Sequence, residues 1–147
     1  MRLILFLLIL ISKSTFALEC SEDIDYKNFV KSQYSRASSI ILGKVEKSQC
    51  SDVECGYINN DIRVHKTLKG KEIKTINLAS IKSWPTFYAG YDYIIFLFGN
   101  NEIDPCGLVL EVGYNTRTSS DLEELADRED LDVSARLREL LPLLVQP

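Results

Sequence analysis

Apolar and polar side chains alternate in short runs through the middle of the chain, with the period of two that marks β-strands. Ile40-Ile41-Leu42-Gly43-Lys44-Val45 is short and rich in β-branched residues, so a first strand is expected there, with Gly43 marking a bulge or sharp bend. Ile58, Ile62, Val64 and Leu68 recur at even positions, while Arg63, His65 and Thr67 take the odd ones. Strand side chains point alternately to opposite faces, so this is a second strand with one buried face. Lys69-Gly70-Lys71 is a turn signal. The third strand, 73–81, has Ile76 and Leu78 on one side. Residues 91–98 differ, because Tyr93, Ile95 and Leu97 face one way and Ile94, Phe96 and Phe98 the other. A strand that is apolar on both faces must be covered on both. Residues 107–112 make the fifth strand.

Helical spacing is confined to the two ends. Residues 25–36 place Tyr26, Phe29, Val30 and Gln33-Tyr34 near one stripe. Ser120 with Glu123 forms a capping box, and Leu122, Leu125 and Ala126 supply an apolar stripe after it. Asp132 starts a second helix with Val133, Leu137, Leu140 and Leu141 inward, and Pro142 is expected to end it. These C-terminal helices, about 119–142, are the expected cover for the outer side of 91–98. The connections between strands are too short for parallel crossovers. The expected fold is therefore mainly β: a five-stranded antiparallel OB-type barrel with a short N-terminal helix and C-terminal helices packed on it.

The N-terminus changes the setting. Met1 and Arg2 form a basic start, 3–11 is an unbroken apolar run, and Ser12 to Ala17 turns polar and small. This is the layout of a secretory signal peptide with cleavage after Ala17, leaving 18–147 as one domain, secreted or periplasmic. Nine apolar residues fall short of the roughly 20 that span a bilayer. Lipid attachment at Cys20 is disfavoured by Glu19 directly before it. Cleavage removes Arg2 and Lys13, taking the net charge from −4 to −6. Such a surface offers no footprint for nucleic acid, and no membrane association is expected after signal cleavage.

Candidate chemistry is sparse. Export places Cys20, Cys50, Cys55 and Cys106 where thiols pair, and four cysteines allow three pairings. Zinc is the competing use, since Cys50 and Cys55 have a spacing seen in ligands, but a closed site needs four donors. His65 is the only histidine and lies on the polar side of its strand, where solvation is expected. No Gly-x-Ser-x-Gly, His-Glu-x-x-His or phosphate loop occurs, so no catalytic set, metal or cofactor is expected. The carboxylates from Asp121 to Asp132 read as the solvated face of helices, and a calcium loop there would need a central glycine. Trp84, Phe87, Tyr88 and Tyr91 cluster around Pro85. They form either an interaction loop with aromatic anchors or a lid packed on the core.

The order of segments resembles a known group. An early Cys20 is followed by Ala37-Ser38-Ser39-Ile40-Ile41-Leu42-Gly43-Lys44-Val45, then by a strand ending in Leu68-Lys69-Gly70. Ala89-Gly90-Tyr91-Asp92-Tyr93-Ile94-Ile95-Phe96 then precedes Cys106-Gly107. This resembles the TIMP-like OB-fold domains, related to tissue inhibitors of metalloproteinases and netrin-type modules, over residues 20 to about 127. Trp84-Pro85 stands where the family often has Cys-Gly. The resemblance implies a Cys20–Cys106 disulfide, which leaves Cys50 and Cys55 to pair locally. It also frames two functions. One is a non-enzymatic protein-interaction module of unidentified partner, a protease being one candidate. The other is a metalloproteinase inhibitor whose processed N-terminal Cys20 grips the catalytic zinc.

Overall fold

A computed structural model of the chain describes residues 25–81 and 85–114, together with positions 138, 140, 142 and 144. The signal segment, Cys20, Trp84, the capping box and Leu122, Leu125 and Leu137 lie outside the described residues.

Helix α1 spans Tyr26–Arg36. It starts where Asp25 accepts a hydrogen bond from the Lys27 N–H at 3.1 Å, satisfying a donor that has no partner within the helix. Arg36 lies in its last turn, favourably placed against the helix dipole. Ala37 then turns extended and ends it.

Five strands follow: β1 Ser39–Cys50, β2 Tyr57–Lys69, β3 Thr75–Ile81, β4 Tyr91–Leu97 and β5 Val109–Tyr114. They form one antiparallel sheet in the order β3-β2-β1-β4-β5. β1 runs beyond the expected Val45 because its distal half pairs with β2 alone, as a ribbon whose polar side chains leave no apolar signal. Register shifts interrupt the β1–β2 ladder at Ile40/Ile41, Leu42/Gly43 and Val45/Lys47. Such bulges bend a strand and increase its twist. Gly43 is required at its bulge. A Cβ there would stand 2.8 Å from Ile62 Cγ2 and 2.9 Å from the Arg63 carbonyl oxygen.

The first half of β1 and β4 form the middle of the sheet, and both are buried on both faces. On one face Ile40, Leu42, Ile94 and Phe96 join Val30 of α1, Leu110 and Val112 of β5, and Leu140 and Leu144. On the other, Ile41, Val45, Tyr93, Ile95 and Leu97 join Ile62 of β2, Leu78 of β3 and Phe87. Val109 of β5 and Ile76 of β3 pack against this second cluster, so both edge strands contribute to one interior, as in a curled sheet. β3 and β5 are nevertheless not hydrogen-bonded to each other, so the expected five-stranded OB-type barrel is here an antiparallel sheet that does not close.

Arg138, Leu140, Pro142 and Leu144 are helical, with Leu140 and Leu144 buried. The helical geometry therefore continues past Pro142, which was expected to end it. Burying a leucine contributes about 1.5–3 kcal/mol, comparable with the cost of about 3 kcal/mol for an interior proline.

Candidate functional site

The β3–β4 loop holds the aromatic group singled out in the sequence. Its base is fixed by burial of Pro85 and Phe87. The Phe87 ring meets Tyr93 edge-on, with centroids 5.0 Å apart. Phe87 is thus a core residue and not an exposed anchor. The Tyr88 N–H donates to the Tyr93 hydroxyl at 3.0 Å, and the Tyr91 N–H donates to the Tyr88 carbonyl at 3.2 Å. Gly90, with φ +89°, donates to the Val45 carbonyl at 2.7 Å, tying the loop to β1. These bonds leave the Tyr88 side chain 56% exposed and its ring 5.8 Å from that of the half-buried Tyr91. Burial, the largest influence on the Tyr93 phenol, pushes its pKa up to about 12.

His65 corrects a second expectation. It lies at the β2 bulge, left out of the register between Val64 and Lys66, and is partly buried where the neighbouring Arg63 is exposed. Its Nε2 lies 3.0 Å from Asp92 Oδ1, and the His65 side chain is only 15% exposed. Lys44, the cross-strand partner of Asp92, places its Nζ 4.0 Å from Asp92 Oδ2. Asp92 is almost fully buried. The sequence signal available was the single aspartate inside the apolar strand β4. Among the described residues, no serine or cysteine hydrogen-bonds His65.

At the far end of the β1–β2 ribbon, Cys50 and Cys55 are joined by a disulfide, as the local pairing required. Cys106 is also disulfide-bonded. The stapled turn is closed by Asp52, whose carbonyl accepts from the Cys55 N–H and whose Oδ1 accepts from the Gly56 N–H, both at 3.2 Å. Val53 stands fully exposed at its tip. Tyr57 and Ile81, directly opposite each other on β2 and β3, are also exposed.

Sequence reasoning missed Asn60, which is completely buried. It accepts from Ser48 Oγ at 2.7 Å and donates to the Leu78 carbonyl and to Ser80 Oγ. Its even position among Ile58, Ile62 and Val64 was the available signal. Among the described residues no three His, Cys, Asp or Glu side chains converge as metal donors, and no helix is long and apolar enough to cross a membrane. In comparison with known proteins, the chain matches no family model and no curated protein.

Proposed function

We propose that the protein is an exported, disulfide-bonded module that binds another protein and catalyses no reaction. The observation that carries this reading is Tyr88. It is a large aromatic side chain, mostly exposed, on a loop whose backbone is fixed by Tyr93, Gly90 and the buried Phe87. An anchor ordered before binding loses little further entropy when a partner covers it, and aromatic anchors of this kind dominate interfaces. The reading includes a partly open OB-type barrel of the TIMP-like kind, a Cys20–Cys106 bridge and C-terminal helices on the outer face. The two edge strands sharing one interior, and buried Leu140 and Leu144, support that architecture.

A photoreactive residue substituted at position 88 tests the reading. In extracellular fluid from the source organism it should give an adduct of defined mass. Unlabelled protein should compete it away, and Tyr88→Ala protein should not. No adduct, or the same adduct from a probe at exposed Asn100, would overturn the interaction loop. The inhibitor alternative is separated by the N-terminus. Beginning at Leu18 displaces the terminal amine by roughly 7 Å from Cys20, against a zinc–nitrogen bond of about 2.0–2.1 Å. Protein starting at Leu18 should leave metalloproteinases uninhibited. Inhibition by that form would defeat the proposal, and inhibition only by protein trimmed to Cys20 would favour the alternative.

A further inference from the structure

The stapled turn at the far end of the β1–β2 ribbon has a backbone that its sequence would not choose. The Cys55 N–H donates to the Asp52 carbonyl, closing the turn, and Cys55 itself lies at φ +53°. In hairpin turns a left-handed position ordinarily goes to glycine, because a Cβ is crowded there. Here glycine is the next residue, yet Gly56 is not left-handed and Cys55 is. Among the described residues, Asn101 is the other non-glycine with this conformation, and asparagine tolerates it. A cysteine persists there only where its surroundings hold it. The bond to Cys50 supplies that hold.

The bridge is also reachable. Cys50 is exposed and Cys55 half-buried, and neither belongs to a core cluster. Below the turn, the Ser51 N–H and Oγ both donate to the Tyr57 carbonyl at 3.0 Å, so the strands stay joined without the sulfurs. Cys106 is held differently. It is half-buried beside buried Gly107 and Leu108, and its N–H donates to Asp104 Oδ1 at 2.8 Å. Charge around the exposed bridge has one sign. Residues 48–60 hold Asp52 and Glu54 and no lysine or arginine.

We propose that Cys50–Cys55 is a thiol–disulfide exchange site, opened by a dithiol that is uncharged or cationic beside its reactive sulfur. One thiolate of the dithiol attacks the exposed Cys50 Sγ. The Cys50–Cys55 bond breaks, and Cys55 leaves with its electron pair and takes a proton from water. The second thiolate attacks the dithiol's own sulfur in the mixed disulfide and releases Cys50, which is protonated in turn. The dithiol is thereby oxidised to a disulfide, and the bridge is reduced to a pair of thiols. Exposed and strained disulfides are the labile ones. Asp52 and Glu54 repel an anionic thiol such as glutathione. Once reduced, Cys55 can leave the left-handed region, and the turn that presents Val53 relaxes. The site is independent of the Tyr88 loop.

The test equilibrates protein beginning at Leu18 with graded ratios of reduced to oxidised dithiothreitol, traps thiols with iodoacetamide and locates them by peptide mass. Cys50 and Cys55 should be alkylated together, at a ratio at least about tenfold lower than Cys106 requires, while near-ultraviolet dichroism stays native. At equal thiolate concentration, cysteamine should reduce the bridge faster than mercaptoethanol, and mercaptoethanol faster than glutathione. Glu54→Gln should narrow the cysteamine-to-glutathione ratio by about twofold. In amide spectra C50S/C55G, with glycine in the left-handed place, should keep the wild-type shifts of Val53, Glu54 and Gly56, and C50S/C55S should not. Alkylation of Cys106 at the same ratio, reduction only after the native dichroism is lost, or glutathione as fast as cysteamine would each overturn the proposal. So would wild-type shifts in C50S/C55S, which would show that the turn does not depend on the bond.

Discussion

Tyr93 couples the exposed loop to the interior through one hydroxyl. Its ring is packed under Phe87, and its oxygen accepts from the Tyr88 N–H. Burial holds the folded phenol at about 12, against 10.0 for an unhindered phenol. Below pH 10 both folded and unfolded states keep the proton, so the shift changes nothing. Between pH 10 and 12 the unfolded chain ionises first, and the folded state therefore loses stability as pH rises. Two units correspond to roughly 3 kcal/mol across that window. Urea midpoints measured from pH 9 to 12 should fall more steeply for wild type than for Tyr93→Phe. Parallel curves would show that the phenol is not held in its protonated form. At neutral pH the variant should lose only about 1 kcal/mol, the net worth of one hydrogen bond. At this same scale the sequence was least legible. Polarity alone reads His65 as solvated, because nothing within β2 shows the Asp92 carboxylate that β4 brings to its side. Phe87 is an aromatic loop residue in sequence and a core residue in space, since its neighbour Tyr93 comes from a strand paired elsewhere.

Strands and their bends depend on close backbone approach. At Gly43, β2 comes so near that two of the three nearest neighbours to an added Cβ are backbone atoms of Arg63 and Val64, which cannot rotate away. Gly43→Ala should therefore destabilise by about 1–3 kcal/mol through overpacking, visible as a lowered melting temperature. Gly56→Ala, where a Cβ meets only Asp52 Oδ2 at 4.0 Å, is the matched control and should be nearly silent. Equal melting temperatures for the two variants would show that the sheet can open at β1 without cost. This bend was visible in the sequence as a glycine among β-branched residues, and β4 was visible as a strand apolar on both faces. The distal half of β1 was not, because a two-stranded polar ribbon buries nothing that periodicity can register. Nor was the helical geometry at Pro142 and Leu144, where local proline chemistry yields to burial of Leu144.

In the molecule as a whole, the β1–β4 ladder joins everything else, and its apolar content raises a question of fidelity. A one-residue slip between two strands normally exposes their apolar set and is rejected for that reason. Here Ile40, Ile41 and Leu42 are buried on either face, and so are Ile94, Ile95 and Phe96. A slipped pairing would exchange one apolar surface for another, so hydrophobicity discriminates poorly between alignments. The polar pair at the end of the ladder discriminates well. Only the native alignment sets Lys44 opposite Asp92, with His65 reaching the same carboxylate, and any slip leaves a buried charge without its partners. Breaking such a buried pair costs about 3–5 kcal/mol, whereas replacing both members with apolar residues is often neutral or stabilising. K44L/H65L/D92L protein, which leaves no member of the trio without its partner, is thus expected to melt no lower than wild type and yet to give doubled backbone amide resonances along β1 and β4. A single set of resonances would transfer the aligning role to the bulges. In this view the ion pair acts as a key for alignment, choosing among pairings that the apolar residues would accept equally.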